Sequence, residues 1–454
     1  MYNKIKKLLL LSGDVSVMYL SLYLSLFLRY KESFNISIWN NHYRCFSFIF
    51  LVWIFIFYIS GLYNLYITQN DKIFFRLSLK SLGIAGIIAT LFFYLNPSIG
   101  IAPKINLIIY LLVFTLTFLL WRTMFNSLLN SYLPKNRVIY IGFNNQIQEI
   151  IKFIKNNPGT GYKSILLLDL NDNVPQSFSE IEIIKSLNNL PLVIKSKNIN
   201  TIVLSSNPGN SNTLRQELFS SLSLSLEFVN SVNFYENVIN KIPIDAINQM
   251  WFLENLNEGS KVLFDRIKRV FDFLFAGFIF FLTLPLWIIF AILIKYESKG
   301  PVFFMQNRLG KNNKNFRIIK FRTMRTENND LSPTKVNDSR ITKTGSFLRR
   351  TRLDELPQVI NIIKGEMSFV GPRPEQPNIV EKLEQVIPFY KERMLVNPGL
   401  TGWDQVSGEY HSPSEEDTLK KLQYDLFYVK NRSFYLDASI LLKTISVVFS
   451  RAGM

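Results

Sequence analysis

The stretch FLFAGFIFFLTLPLWIIFAILI, Phe273–Ile294, carries no charge and holds Pro285 near its middle. About 20 apolar residues cross the roughly 30 Å hydrocarbon layer as a helix, so length alone makes this a span. Its flanks disagree. Lys261, Arg266, Lys268 and Arg269 precede it, and Lys295 and Lys299 follow it. Basic residues mark the cytoplasmic side of a crossing, and here they stand on both sides. Proline removes a main-chain hydrogen bond and clashes with the preceding turn, which kinks a helix. A helix–break–helix that enters and leaves one leaflet satisfies both the length and the flanks. A spanning helix with an ordinary proline kink is the other reading. We expect the re-entrant hairpin, over 260–296, broken at Pro285.

Toward the N-terminus lie four more apolar runs: Leu8–Leu28, Cys45–Tyr66, Ser81–Ala102 and Ile105–Trp121. The first carries Asp14, and the third meets Asn96 and Pro97 near its end. Four such runs before residue 125 predict a four-span transmembrane domain over 1–130 rather than buried soluble helices. The first run is long, and no small-residue cleavage site with a polar start follows it, so we do not expect a cleaved signal peptide. Lys4, Lys6 and Lys7 precede the first run; Lys72, Arg76 and Lys80 lie between the second and third; Arg122, Lys135 and Arg137 follow the fourth. The opposite loops hold Arg29, Lys31 and Arg44, then Lys104. This bias places the N-terminus and everything after residue 125 in the cytoplasm.

Composition narrows the chemistry. The 454 residues include 51 Lys+Arg against 34 Asp+Glu, a formal charge of +17. Hydrophobic residues make up 48%, with 39 Phe and 20 Tyr, which excludes long disorder. One cysteine, Cys45, excludes a disulfide framework and a multi-cysteine metal site. His42 and His411 stand far apart, which argues against a zinc site or a Ser-His-Asp triad. Carboxylates, basic residues and bound ions must do the work.

After Pro134 the pattern becomes that of a soluble domain, over 135–255. Arg137–Gly142 and Lys163–Asp169 read as strands and Gln146–Asn156 as an amphipathic helix. Further apolar runs at Leu190–Ile194, Thr201–Ser205 and Leu226–Val229, with a helical stretch around Leu214–Leu222, complete an α/β alternation. That alternation predicts a Rossmann-like parallel sheet. The first turn, Gly142-Phe-Asn-Asn145, keeps only one glycine of the G-x-G-x-x-G that lets backbone approach a pyrophosphate. We expect a structural or regulatory role here rather than dinucleotide binding. Asn207-Pro-Gly-Asn-Ser-Asn212 is a loop signal, not a phosphate loop.

Beyond the apolar hairpin, Lys299–Arg352 holds fourteen Lys/Arg against Glu327, Asp330 and Asp338, so +11 of the +17 sits there. Such a block meets anions: headgroups, nucleic acid or a phosphorylated substrate. Its position after a membrane segment, without a stacking platform or helix-turn-helix pattern, argues against nucleic acid. Next come Thr351-Arg-Leu-Asp-Glu-Leu-Pro-Gln358, Gly365-Glu-Met-Ser-Phe-Val-Gly-Pro-Arg-Pro374 and Asn397-Pro-Gly-Leu-Thr-Gly-Trp403. Arginines beside Asp354 and Glu355 favour ionised carboxylate, so at least one of the pair is available as nucleophile or metal ligand. Hard carboxylate oxygens suit Mg²⁺, which binds one or two carboxylates plus substrate phosphates. Arg373, held between prolines, is pre-positioned to fork onto a phosphate.

From about Lys261 to Met454 the chain resembles the bacterial sugar transferases, the large monotopic polyprenyl-phosphate hexose-1-phosphate (phosphoglycosyl) transferases. The resemblance runs through Lys268-Arg-Val-Phe-Asp272, the proline-broken hairpin, Gly300-Pro-Val-Phe-Phe304, Gln306 with Arg308 and Gly310, Lys320-Phe-Arg-Thr-Met324 and Arg340-Ile-Thr-Lys-Thr-Gly345. It continues in Leu353–Gln358, Met367–Pro374, Pro398–Trp403, and Tyr424-Asp425 with Asn431, Ser433 and Asp437. It implies a small, mostly α catalytic domain over 297–454. The implied reaction moves hexose 1-phosphate from a UDP-hexose (glucose or galactose) to undecaprenyl phosphate, releasing UMP. Asp354 would be the nucleophile that forms an aspartyl-phosphosugar, and Glu355 its carboxylate partner, both near Mg²⁺. Arg373, Arg349, Arg352 and Arg322 would bind phosphoryl oxygens, and Asp425 would orient one of the arginines.

The implied setting is the bacterial inner membrane, with the active site at headgroup depth on the cytoplasmic face, for O-antigen, capsule or exopolysaccharide synthesis. The extra spans and mid-domain offer surface for a homodimer. Asp404 departs from the alanine usual in the family. The alternatives are a non-catalytic scaffold of polysaccharide assembly and a glycosyltransferase that extends a lipid-linked glycan.

Overall fold

The computed structural model describes residues 2–63, 70, 72–95, 104–131, 135–169, 174–175, 178–185, 189–205, 212–325, 338–407 and 414–450. Asn96-Pro97, His411, nearly all of the 207–212 loop signal, and Glu327, Asp330 and Lys335 of the basic block lie outside the described residues. The chain divides into two compact units, 1–239 and 240–454.

The first unit opens with α1 (Tyr2–Tyr30), α2 (Ile36–Ile59), α3 (Lys72–Leu95) and α4 (Lys104–Ser131). All four are long and apolar enough to cross a membrane. Aromatic side chains at helical spacing join α2 to α4. Phe46 meets Tyr110 at 5.0 Å between ring centroids, Trp53 meets Phe114 at 5.0 Å, and Phe57 meets Phe118 at 5.0 Å. The charge inside the first run has a partner. Asp14 Oδ1 accepts from Arg122 Nε at 3.0 Å and from Trp121 Nε1 at 3.1 Å, and Oδ2 accepts from Arg122 Nη2 at 2.6 Å. Arg122 Nη1 donates to the Leu62 carbonyl at 2.7 Å. Arg122, read from the sequence as a flanking cytoplasmic charge, is thus buried against α1, because an ionised group among apolar helices must find its counter-ion there.

The same unit holds the sheet: β1 (Asn136–Ile141), α5 (Asn145–Asn156), β2 (Tyr162–Leu168), β3 (Glu182–Ile184), α6 (Leu190–Ser196), β4 (Thr201–Leu204), α7 (Asn212–Ser220), β5 (Glu227–Asn230) and α8 (Ser231–Ile239). The order β3-β2-β1-β4-β5 is parallel throughout, with the reversal between β1 and β4. Two apolar layers cover it. Val138 and Tyr140 face Ile147, Ile150 and Phe234, while Ile139 and Ile141 face Ile194, Leu214 and Leu218. At the first turn Gly142 takes φ +82, and the Asn144 side chain caps α5 by accepting from Ile147 N at 2.9 Å.

The second unit runs α9 (Gln249–Asn255), α10 (Glu258–Glu297), β6 (Phe303–Leu309), β7 (Asn315–Phe321), α11 (Lys343–Thr351), α12 (Gln358–Lys364), β8 (Ser368–Val370), α13 (Pro377–Val386), β9 (Gly399–Thr401), α14 (Glu415–Asn431) and α15 (Phe434–Ser450). Strands β6 and β7 pair antiparallel, and β8 and β9 pair parallel. The break expected at Pro285 is not an interruption. Helix α10 is continuous over 40 residues, with Pro285 inside it. Proline removes the main-chain donor that would serve the Phe281 carbonyl, and in the same turns Thr283 Oγ1 donates to the Ile279 carbonyl at 2.7 Å and accepts from Trp287 Nε1 at 3.1 Å, a back-bond of the kind that bends a helix. Both halves of α10 pack on the same small domain. Phe275 meets Phe369 at 5.1 Å, and Trp287 and Phe290 meet Phe321 at 5.6 and 5.8 Å. Between them Phe281, Leu282, Leu284 and Leu286 are exposed.

Candidate active site

Helix α11 ends at Arg352, which adopts φ +58, ψ 12. A non-glycine residue there is strained by about 1–2 kcal/mol, and such strain gathers at functional turns. The turn that follows, Leu353–Glu355, is 3₁₀, and Pro357 and Gln358 then start α12. The adjacent carboxylates are therefore presented on a tight turn between two short helices.

Their surroundings differ. Glu355 Oε1 accepts from Lys320 Nζ at 2.8 Å and from Arg373 Nη2 at 3.0 Å. Burial alone would raise its pKa, but Arg373 and Lys320 outweigh burial and hold it at about 2. Asp354 moves the other way. Burial and the charge of Glu355 raise its pKa, against Lys320, Arg349 and Arg352. Its Oδ1 is buried with no hydrogen-bond partner among the described residues. The expectation is that neighbouring arginines leave at least one of the pair ionised; the one held low is Glu355, by Arg373 and Lys320 rather than by the adjacent arginines, and at Asp354 desolvation and a like charge outweigh Arg349 and Arg352. Lys320 is itself shifted down, by burial first and then by Arg373, against the pull of Glu355.

Arg373 owes its place to β8 and β9. Gly371 N donates to Thr401 O at 2.9 Å and Gly399 N to Pro372 O at 2.9 Å. A Cβ on Gly399 would lie 2.1 Å from Gly371 N, so the two chains cross at a distance only glycine permits.

The other sequence-predicted residues fall into three groups. Arg349 and Arg352 lie close enough to act on the Asp354 charge, and Arg349 Nε donates to Thr323 Oγ1 at 2.8 Å. Asp425 touches neither Arg373 nor Arg349. It pairs with Arg393 at 2.7 Å, and Arg393 Nη2 donates to the Arg373 carbonyl at 3.0 Å. Arg322 is a correction: its Nη1 donates to Lys299 O at 2.8 Å and its Nη2 to Ser298 O at 2.7 Å and Ser298 Oγ at 2.9 Å. It is buried at the C-terminus of α10, where a guanidinium closes open carbonyls, so its terminal nitrogens are committed to the helix rather than to a phosphate.

Two contributors escaped the sequence reading. Lys320 carried a signal, a lysine within the apolar strand Phe316–Phe321. Arg393 carried none, because Lys391-Glu392-Arg393 looks like solvated charge.

Among the described residues no three His, Cys, Asp or Glu gather as a metal cluster. The carboxylates that would fit Mg²⁺ are those of Asp354 and Glu355, with substrate phosphates supplying the rest.

Residues 263–451 match the family profile of the bacterial sugar transferases. Over 189 residues the chain is 44% identical to the UDP-N-acetylgalactosamine-undecaprenyl-phosphate N-acetylgalactosaminephosphotransferase of Aeromonas hydrophila, covering 41% of this chain and 44% of that one. Over 185 residues it is 42% identical to the UDP-glucose:undecaprenyl-phosphate glucose-1-phosphate transferase of Escherichia coli K12, covering 39% of each. It is also 40% identical over 188 residues to the exopolysaccharide production protein PSS of Rhizobium leguminosarum bv. phaseoli, covering 39% of this chain and 93% of that one. The chain belongs to the bacterial sugar transferase family. The sugar transferase segment contains Lys320, Asp354, Glu355, Arg373, Arg393 and Asp425, while α1–α4 and the parallel sheet lie outside it. The match spans less than half the length of the Aeromonas and Escherichia relatives.

Proposed function

We propose that this chain transfers a sugar 1-phosphate from a UDP-sugar to undecaprenyl phosphate, giving the undecaprenyl-diphosphate sugar and UMP, as the first membrane step of a surface polysaccharide. The observation that carries the reading is the asymmetric pair: Glu355 locked as an anion by Lys320 and Arg373, beside Asp354 with a buried oxygen that no described residue engages. Relatives named for N-acetylgalactosamine phosphate and for glucose 1-phosphate widen the donor to a UDP-hexose or a UDP-N-acetylhexosamine.

In this mechanism an ionised Asp354 oxygen attacks the β-phosphorus of the donor. The bond from that phosphorus to the bridging oxygen breaks, and its electron pair leaves with UMP. An oxygen of undecaprenyl phosphate then attacks the same phosphorus, and Asp354 regains its carboxylate. Splitting the transfer lets one small site serve a soluble donor and a lipid acceptor in turn. Arg373, Arg349 and Arg352 orient phosphoryl oxygens, and Glu355 keeps Arg373 aimed. Asp354 and Glu355 would hold Mg²⁺, which when bound neutralises diphosphate charge.

The same proposal places the site at the cytoplasmic face, with α10 kinked rather than broken at Pro285 and both of its ends at one leaflet. Basic flanks on both sides, contacts from both halves to one domain, and the exposed tip support it.

Membranes carrying the full chain, supplied with a panel of labelled UDP-sugars and undecaprenyl phosphate, test the reaction. UMP release with a lipid-linked sugar phosphate is expected. Release of UDP instead would make the chain a glycosyltransferase, and no turnover with any donor would leave a scaffold.

A further inference from the structure

The loop that carries Arg373 has an unusual way of being held. Pro372 and Pro374 have no N–H, so the rest of the fold grips this loop through its carbonyls. Four in a row are taken. Pro372 O accepts from Gly399 N at 2.9 Å, Arg373 O from Arg393 Nη2 at 3.0 Å, Pro374 O from Arg308 Nη1 at 3.2 Å, and Glu375 O from Leu309 N at 3.0 Å. The grip on Arg373 itself is a charged side chain. Arg393 is 6% exposed, pairs with Asp425 at 2.7 Å and donates through Nη1 to the Tyr390 hydroxyl at 2.8 Å. A guanidinium this deep stays only while a counter-ion meets it.

A second carboxylate shares the chamber. Trp403 stacks on Phe427 of α14 at 6.0 Å, which lays the turn after it along that helix, and the buried Asp404 faces Asp425 there. The groups around Asp425 are Arg393 and Tyr390 from the 390–395 turn, Asp404 from the turn after Trp403, and Lys421 on α14 itself; Glu375 acts on Arg393 and Tyr390. Lys421 is drawn partly away, to Glu375 at 3.7 Å. Asp404 therefore adds negative charge beside the carboxylate that Arg393 meets.

We infer that Arg393 is the positioning residue of the Arg373 loop, and that the Asp404–Asp425 carboxylate pair sets whether Arg393 is held in place. The inference rests on the proposed transfer reaction and adds to it a residue that touches no substrate. Burial raises the Asp425 pKa, Arg393 opposes and Asp404 adds to the rise, leaving it at about 6. As pH falls through that value Asp425 gains a proton, Arg393 loses its counter-ion, and the Arg373 carbonyl loses its donor. The ionised, held state is the one above it.

Three variants of the full chain in detergent test this. Arg393→Lys keeps the charge that Asp425 needs but cannot reach Asp425, Tyr390 and the Arg373 carbonyl together. Its kcat for UMP release should fall about tenfold or more with little change in KM for the donor. Asp404→Asn removes the second carboxylate, so the acid limb of the kcat profile should move down by roughly one pH unit. Asp404→Asn should also melt higher than the unsubstituted protein at pH 8 and no higher at pH 5. That readout needs no turnover. Asp425→Asn should fix the acid-like state and flatten the limb. An unchanged kcat in Arg393→Lys, or an acid limb and a melting difference that ignore Asp404→Asn, overturns the inference. Absence of turnover in the unsubstituted protein strikes the proposed reaction instead, and the melting comparison still judges the carboxylate pair.

Discussion

Asp354 and Glu355 are neighbours in the chain and opposites in charge behaviour. Glu355 is drawn down by two cations, while Asp354 is pushed up by burial and by Glu355 itself. A nucleophile needs an ionised oxygen that is not already engaged, and Asp354 Oδ1 has no protein partner among the described residues. The partner carboxylate holds the cations that a diphosphate donor would otherwise meet in disorder. In the proposed reaction the two roles would follow from position on one tight turn.

Asp354→Asn should therefore abolish turnover, by at least about a thousandfold, while the chain still inserts in membranes. The same variant should melt higher near neutral pH. The sign follows from a folded pKa above the unfolded one: the ionised form costs the native state stability at high pH, and that cost fades as pH falls. Rapid-quench mass spectrometry of the unsubstituted protein with a productive donor should show a sugar phosphate on the peptide containing Asp354. Product formed without that adduct would remove the covalent step.

Glu355→Gln should be severe for a different reason. It leaves Lys320 and Arg373 without their shared anion in a partly buried site, and Arg373 loses its aim. The loss should appear mainly in kcat, by about a hundredfold, with melting lowered rather than raised. A Glu355→Gln protein that melts higher, as expected for Asp354→Asn, would show that the two carboxylates do not differ as described.

Much of this was legible from residues alone, and the limits have physical causes. The four early apolar runs, the strand at Arg137–Gly142 and the helix at Gln146–Asn156 announce themselves by length and period. Lys268-Arg-Val-Phe-Asp272 shows its reason only in three dimensions. Lys268 pairs with Asp437, Arg269 donates to the Ile362 and Ile363 carbonyls at 2.5 and 2.6 Å to close α12, and Asp272 accepts from Phe369 N at 3.4 Å. Arg322 and Arg373 look alike in a list of basic residues. One lies under the end of α10 and the other beside Glu355, a difference made by contacts distant in sequence. Pro285 predicts a disturbed turn but does not say whether the helix is interrupted, and α10 runs through it.

The Asp14–Arg122 pair should carry a large share of the stability of the first unit. Removing one partner leaves the other charge buried among apolar helices, so Arg122→Leu should cost about 3–5 kcal/mol, read as lower yield and melting temperature in detergent. Removing both, Asp14→Leu with Arg122→Leu, should be milder than either single change, because no unpaired charge remains. A Cβ on Gly13 would sit 1.9 Å from the Trp121 ring, so Gly13→Ala should also loosen the α1–α4 contact and, by displacing that ring, weaken the Trp121 hydrogen bond to Asp14.

The path of α10 makes the sharpest topological prediction. Tyr296 is 91% exposed just beyond Ile294, so a cysteine there should react freely with a water-soluble maleimide once Cys45 is replaced by serine. If α10 turns back at Pro285, Tyr296→Cys should label only from the cytoplasmic side, as should a cysteine at the exposed Leu253 ahead of the helix. If α10 crosses, the two positions should label from opposite sides. Pro285→Leu in the same background restores the missing main-chain donor and favours a straight helix of about 60 Å at 1.5 Å per residue. That change should shift part of the Tyr296→Cys population to the far side and lower UMP release in proportion, because a catalytic domain carried across the membrane loses its cytosolic donor.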